Sequence, residues 1–180
     1  MKLSTIAVFS ACFSLVTGAA DAKLARQGDA NVSLTAVGPA GFKIVASTSD
    51  LNVADDGQHV TVIVPLAKLN SGISLRDAHM RDKYLEVGTY PNAQLTVDRA
   101  ALKFPDQGAA DATASGLMTI HGKSKNVTFH YHATRAGAGM HVTGDTQVNM
   151  KDYGINVPAY FGITVKPDVA LSVNFNVSDS

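Results

Sequence analysis

The stretch SLRDAHMRDKYLEVGTYP, residues 74–91, is the one convincing amphipathic helix in a chain that otherwise alternates like β-strands. Ser74 followed three residues later by Asp77 resembles a capping box, in which a side-chain oxygen accepts a free first-turn N–H. Apolar residues then recur at helical spacing until Gly88 and Pro91 end the pattern. A lone amphipathic helix must lay its apolar face against something, so the sequence predicts a sheet beside it.

Alternation of apolar and polar residues predicts strands through the rest of the chain. The clearest example runs from Val169 to Val177, where every second residue is apolar. Most connections are short, which favours antiparallel neighbours. Residues 50–58 are predicted as a turn-rich link, and residues 122–125 as a hairpin loop. The eight predicted strands lie within residues 32–36, 42–48, 60–66, 93–97, 114–120, 127–133, 140–150 and 169–177.

Eight strands with one apolar face each need that face covered, and a single helix cannot cover it. A sheet that closes on itself buries the face and removes exposed edges. We therefore predict an all-β fold: an eight-stranded antiparallel up-and-down barrel with an apolar lumen and one short amphipathic helix between strands 3 and 4. A two-sheet sandwich is the alternative.

Two long connections are predicted to share one mouth of this barrel. In an up-and-down barrel alternate links lie at the same end, so the helical link and the link over Lys151–Pro167 fall together. The second link is long, apolar and aromatic, and such ordered loops are uncommon without a role. The two insertions either line a ligand mouth or plug the barrel as ordinary core, since a barrel of this size can do both.

The predicted ligand-binding residues are the inward apolar positions of the strands and the apolar residues of the two long connections. For each of them, plain core packing is the alternative to ligand contact. A ligand head group would need a polar partner at the mouth, for which Arg76, His79 and Lys151 are candidates. The predicted ligand-binding set is Phe42, Ile44, Val62, Val64, Met80, Tyr84, Leu85, Leu95, Val97, Met118, Ile120, Phe129, Tyr131, Val148, Tyr153, Tyr160, Phe161, Val173 and Phe175.

Bulk composition argues against several classes of function. The 180 residues include 15 basic and 15 acidic side chains, with a pI near 7.0. This neutrality argues against nucleic acid or an anionic membrane surface as the main partner. The chain has no nucleophile elbow and no phosphate loop, so we predict no enzyme and no required cofactor.

An export signal is predicted at the start of the chain. Lys2 precedes an apolar run, and Ala20-Asp21-Ala22 matches a small-x-small cleavage site. Residues 1–22 are therefore predicted to be a signal peptide cleaved after Ala22, and residues 23–180 one periplasmic or secreted domain. The apolar run is short for a membrane span, so no stable membrane insertion is predicted. An uncleaved anchor and lipidation at Cys12 are the alternatives.

Three histidines offer a metal-binding alternative. His130 and His132 alternate with inward residues and so share the outer face of one strand, while His141 begins the next. A hairpin that paired His132 with His141 would bring three imidazoles into one exterior patch. Such a patch could bind zinc or copper.

Four ordered motifs resemble a known family. They are Arg76-Asp77-Ala78-His79-Met80, then Tyr84-Leu85-Glu86-Val87 with Tyr90-Pro91, then Gly116-Leu117-Met118-Thr119-Ile120-His121-Gly122, and Asp152-Tyr153-Gly154-Ile155. Together they resemble the YceI-like family of exported lipid-binding proteins. The resemblance implies a lipocalin-like barrel that holds a long isoprenoid chain, such as a polyprenyl or quinone tail, in a largely periplasmic protein for which a homodimer is plausible. Tyr84-Leu85 departs from the family's commoner pair of phenylalanines.

Three classes of function follow from these observations. The first is an isoprenoid-binding protein that acts as carrier, store or sensor. The second is a periplasmic stress or interaction module with a filled barrel. The third is a metal-binding protein that uses the surface histidines. The family resemblance favours the first.

Overall fold

The computed structural model describes residues 23–160 and 163–179, most of which lie in antiparallel strands. The predicted signal peptide, residues 1–22, lies outside the described residues. A single short helix, α1 (Ser74–His79), follows the fourth strand. The strands in chain order are β1 (Leu24–Val37), β2 (Lys43–Thr48), β3 (Asn52–Asp55), β4 (His59–Pro65), β5 (Asn92–Asp98), β6 (Ala109–Ile120), β7 (Lys123–Ala136), β8 (Gly139–Asn149), β9 (Ala159–Tyr160), β10 (Ile163–Thr164) and β11 (Asp168–Asp179).

Nine of the described strands form one curled antiparallel sheet in the order β2-β1-β11-β8-β7-β6-β5-β4-β3. Neighbours in this sheet are consecutive in the chain except that β11 lies between β8 and β1, and the consecutive strands β2 and β3 form the two edges. This is close to the order of an up-and-down barrel. The predicted fold class is confirmed. Predicted strands 3 and 4 correspond to β4 and β5, and α1 lies between them as expected. One continuous sheet replaces the two sheets of the sandwich alternative.

Two contacts bridge the gap between the edges of the curled sheet, which we call the seam: one joins β2 to the connection after β4, and the other joins β1 to β3. After β4 the chain crosses the edge of β2, where Ser47 and Asn70 each donate a backbone N–H to the other's carbonyl, both at 2.9 Å. At the opposite end of the seam the N–H of Leu24 donates to Oδ2 of Asp55 at 2.9 Å. These contacts cover backbone groups that an open edge would leave unpaired.

The helical segment begins where the sequence predicts and is shorter than its apolar pattern suggests. After His79 the chain continues as one wider, π-helical turn over Met80–Tyr84. The predicted capping role of Ser74 is wrong, because α1 has no side-chain cap at its start. Among the described residues no helix combines the length and apolar character needed to cross a bilayer.

Two local predictions need correction. The link over residues 50–58 contains the short strand β3, which pairs with β4 from Asn52↔Ile63 to Asp55↔Val60. The hairpin between β6 and β7 turns at His121 and Gly122, both with positive φ, because Ile120 already pairs with Lys123. Two-residue loops with left-handed backbone match the twist of the flanking strands, which explains the tighter turn.

Gly122 has a second constraint besides its backbone. A Cβ built there, at φ +69°, would lie 2.6 Å from Cε1 of Tyr90, whose ring packs on His121 with centroids 4.4 Å apart. Gly137, at φ +60°, has nothing within 4 Å of the same position.

We expect Gly122→Ala to lower the free energy of unfolding by roughly 2–4 kcal/mol, combining left-handed strain with a forced shift of Tyr90. Gly137→Ala is the matched control and should lose only about 1 kcal/mol, since it meets the backbone cost alone. Urea denaturation of both variants measures the difference. Equal losses would show that the Tyr90 contact contributes nothing.

Candidate functional site

A cavity of about 620 Å³ lies inside the curled sheet. Its wall is built from the inward positions of the main strands, and three apolar clusters surround it. Alternation along each strand directs every second side chain inward, which explains why so long a wall is apolar. Volumes of this size are typical of small-molecule sites.

Most of the predicted ligand-binding residues line this cavity. Their contact with a ligand remains a prediction. The residues that form part of the wall are Ile44, Val62, Val64, Met80, Tyr84, Leu85, Leu95, Val97, Met118, Ile120, Phe129, Tyr131, Val148, Tyr153, Val173 and Phe175.

The remaining three predicted residues lie elsewhere. Phe42 is 62% exposed, so its predicted inward position is wrong. The pairing of β1 with β2 ends at Val37↔Lys43, and Phe42 lies on the turn beyond the last paired residue. For Tyr160 only the backbone, paired with Ile163, is described. Phe161 lies outside the described residues.

The cavity wall also contains residues that were not in the predicted set. Val32, Leu34 and Leu171 follow the same alternation as their predicted neighbours, so the strand pattern could have found them. Leu102 and Phe104 lie on the connection after β5, which has no alternation. Only the folded chain brings that connection against the cavity.

We call the end of the barrel that holds α1 the helix mouth; it comprises connections 38–42, 66–91, 121–122 and 150–167. The two long connections meet there as predicted, since Tyr84 from one and Tyr153 from the other pack in the same apolar cluster. The N–H of Lys166 donates to the carbonyl of Val37 at 2.7 Å and holds the second connection against β1.

Polar side chains are few in the cavity wall. Arg76 and His79 contribute to it at the helix mouth, whereas Lys151 is exposed and does not. The hydroxyl of Tyr131 accepts the N–H of Lys103 at 2.6 Å. An apolar wall with so few polar partners disfavours a polar ligand, because buried polar groups without hydrogen bonds are costly.

Tyr153 is 1% exposed, and burial raises the pKa of its phenol, with the charge of Asp152 adding to the effect. The neutral hydroxyl is therefore favoured in the folded chain. The Tyr153 ring packs in an apolar cluster and so anchors the connection over residues 150–167. The carbonyl of Tyr153 lies 3.3 Å from Nδ1 of His121.

Two residues with left-handed backbone meet at the helix mouth. Glu86 has φ 47° and His121 has φ 51°, and the Glu86 carboxylate lies 3.2 Å from Nε2 of His121. Non-glycine residues persist in this conformation only where surrounding contacts hold them. Here the Glu86–His121 contact and the Tyr90 ring hold the end of the helical connection against the β6–β7 turn.

Asp77 organises the start of the helical connection. Its Oδ1 accepts the hydroxyl of Ser71 at 2.6 Å and the N–H of Ser71 at 2.8 Å. The Ser71 hydroxyl bond, the Ser71 N–H bond and the charges of Arg81 and Arg76 hold the pKa of Asp77 below its usual value, against the opposing effect of burial. Sequence reasoning named the residue but assigned it the wrong partner.

A lowered pKa makes this carboxylate stabilising above the pKa of the unfolded chain, near 3.8. That contribution disappears as pH falls through the folded-state pKa. We expect wild type to be more stable than Asp77→Asn at pH 7, with the difference shrinking below about pH 4. Urea denaturation from pH 7 to pH 3 measures it, with Asp82→Asn, an exposed carboxylate on the same segment, as control. A difference that stays constant with pH would contradict the assignment.

The hairpin register differs from the one that the predicted histidine patch assumes. β7 and β8 pair His132 with Thr143 and His141 with Thr134, so the assumed pairing of His132 with His141 is wrong by two residues. The physical reason is the tight two-residue loop after Ala136, which sets the register of the whole hairpin.

The rings of these histidines are engaged with other neighbours. Nδ1 of His132 lies 2.6 Å from Oδ1 of Asp111, and Nδ1 of His141 lies 2.9 Å from Oδ1 of Asn176. Within residues 23–160 and 163–179, no group of three or more His, Cys, Asp or Glu side chains is arranged to hold a metal ion.

Sequence comparison decides the family. The family model of the YceI-like domain matches residues 13–177. The chain belongs to the YceI-like family. A UPF0312 protein of Pseudomonas fluorescens (strain SBW25) is 34% identical over 121 residues, covering 62% of this chain and 60% of the relative. A UPF0312 protein of Vibrio parahaemolyticus is 28% identical over 120 residues, covering 62% and 59%. The chain thus spans about 60% of the length of these relatives.

Solved structures share the YceI-like fold at low identity. A polyisoprenoid binding domain from Saccharophagus degradans, implicated in plant cell wall breakdown, superposes with a TM-score of 0.74 at 16% identity, covering 88% of this chain and 99% of that one. BcnA of Burkholderia cenocepacia gives 0.65 at 17%, covering 82% and 95%. A YCEI protein of Campylobacter jejuni gives 0.55 at 14%, covering 100% and 99%.

Proposed function

We propose that this protein is an exported, periplasmic binding protein that holds an isoprenoid-type lipid, a polyprenyl or quinone chain, in the lumen of its barrel. The observation that carries the proposal is the apolar cavity of about 620 Å³, bordered at the helix mouth by two long connections. The polyisoprenoid binding described for the Saccharophagus domain of the same fold supports it.

The chemistry of the wall supports an apolar chain as the ligand. Burying apolar surface against apolar surface is favourable by about 25 cal/mol per Å². A sugar or peptide in the same lumen would lose its hydrogen bonds to water and regain few from this wall. Methionines 80, 118 and 140 add unbranched, adaptable side chains that suit an irregular chain.

The helix mouth supplies the polar partners for a lipid head group. Arg76 and His79 both border the cavity there, and the Arg76 guanidinium can donate to phosphate, carbonyl or hydroxyl oxygens. The proposed ligand therefore lies with its chain in the lumen and its head beside α1. Lys151 is too exposed to take this role.

A filled barrel acting as an interaction module is the second candidate of the sequence. The open volume inside the sheet favours the binding role over this one. A binding role also suits the absence of a predicted catalytic motif, so we propose a binding protein rather than an enzyme. Carrier, store and sensor all fit the same cavity.

The test is native mass spectrometry of protein purified from the periplasm of its own cells, followed by solvent extraction. We expect one lipid per chain that extracts as a polyprenyl or quinone compound. Bare protein that also fails to take up added quinone or polyprenol would refute the proposal. The same spectrum tests export, because cleavage after Ala22 gives a chain that begins at Lys23, and it tests the homodimer by mass.

A further inference from the structure

Exposed apolar side chains gather at the helix mouth. Five large apolar residues of the described chain are at least 45% exposed, and three of them, Phe42 (62%), Ile73 (49%) and Leu75 (68%), lie on its connections. We call these three the apolar rim. Ile73 and Leu75 also form part of the cavity wall, so they border the opening itself.

The rim residues come from neighbouring segments. Ile44, two residues after Phe42, packs in the same apolar cluster as Tyr84 and Leu85 of the helical connection. The edge of β2 is also hydrogen-bonded to Asn70, three residues before Ile73. Phe42 thus lies at the same end of the barrel as α1.

Charge is distributed unequally between the two ends of the barrel. The connections of the helix mouth carry six basic residues, Lys68, Arg76, Arg81, Lys83, Lys151 and Lys166, and four acidic ones. Two of those four are engaged, since Asp77 binds Ser71 and Glu86 pairs with His121. The connections at the opposite end, residues 56–58, 99–108 and 137–138, carry two acidic and two basic residues. A chain of zero net charge therefore presents a basic face around the apolar rim.

Apolar side chains projecting from a basic face are complementary to one partner in particular. We propose that the apolar rim docks peripherally on the surface of an anionic phospholipid bilayer, with Phe42, Ile73 and Leu75 entering the interface and the surrounding lysines and arginines facing the head groups. Docking would place the cavity opening against the acyl region, so that lipid moves between bilayer and lumen. This last step rests on the proposed function, whereas docking itself does not.

The test is flotation of the mature protein with vesicles of phosphatidylglycerol and phosphatidylcholine in equal parts. We expect binding that falls by about tenfold or more on pure phosphatidylcholine, and again in high salt, because the basic face is screened. Phe42→Ser is the decisive variant, since Phe42 is exposed and does not line the cavity. It should lower vesicle binding by about tenfold while lipid occupancy in native mass spectra stays unchanged.

Leu117→Ser is the matched control, because Leu117 is 45% exposed on β6 and outside the cavity wall. It should bind vesicles as wild type does. No vesicle binding by wild type, equal binding to both lipid compositions, or equal loss in Phe42→Ser and Leu117→Ser would overturn docking. A wild type that self-associates through the rim, with Phe42→Ser monomeric and vesicles unbound, would assign the rim to a second copy instead. Docking with an empty lumen would leave docking standing and refute the lipid-binding proposal.

Discussion

Val62→Trp is expected to abolish lipid uptake while leaving the barrel folded. Val62 lies in β4, opposite Val53 on one side and Leu95 on the other. It points inward yet is only partly buried, because it faces the open cavity. An indole added there occupies volume that the isoprenoid chain needs, so we expect affinity for a polyprenol or quinone to fall by at least about 100-fold. Titration followed by native mass spectrometry measures it.

Val45→Trp is the matched control for this substitution. Val45 is 46% exposed on the outer face of β2, so the same indole there should leave lipid binding intact. Wild type contains no tryptophan, and each variant therefore reports its own environment by fluorescence. A blue-shifted emission from position 62 and a red-shifted one from position 45 would confirm the two placements. Unchanged lipid affinity in a folded Val62→Trp would place the ligand outside the lumen.

Asp55→Ala should produce the largest loss of stability. The Asp55 side chain is 0% exposed and forms an ion pair with Arg99, itself 15% exposed. The same carboxylate accepts the N–H of Leu24 at 2.9 Å and that of Gly57 at 2.8 Å. Removing one member of a buried ion pair typically costs about 3–5 kcal/mol, because the other charge loses its compensation. Asp55 also joins β1 to β3 across the seam, so its loss loosens the curl of the sheet.

Chemical denaturation measures this effect against Asp106→Ala, an exposed carboxylate on the connection after β5. We expect the control to change stability by less than about 0.5 kcal/mol. The double variant Asp55→Ala with Arg99→Ala completes a cycle that isolates the pair. Independent, additive losses in that cycle would show that the two side chains are not coupled.

Period-two alternation was sufficient to predict eight of the described strands, and the short connections between them predicted antiparallel pairing. This prediction succeeds because each strand has one face in the lumen and one in water, so apolar and polar residues alternate along its sequence. Strand β3 was not predicted, because the four residues Asn52–Asp55 are too few to show apolar–polar alternation. Phe42 was misplaced because alternation continues in the sequence past the last paired residue, whereas burial does not.

The partners of individual side chains were beyond sequence reasoning. The partner of Asp77 is Ser71 rather than the helix start, since a carboxylate can accept from any nearby donor and only the folded chain selects one. The pairing of His132 with Thr143, not with His141, follows from a hairpin register that a two-residue turn sets. Neither outcome has a periodic signal.

The sequence by itself determined an all-β barrel with one helix, the shared mouth of two long connections and most of the cavity wall. These features follow from the local alternation of residues and from the rule that alternate connections of an up-and-down barrel lie at the same end, both of which can be read from one sequence. Only the tertiary structure decided the volume of the lumen, the seam held by Asp55 and the gathering of Phe42, Ile73 and Leu75 at one end. These depend on residues far apart in the chain, and their free energies are set by which neighbours the curled sheet brings within contact distance.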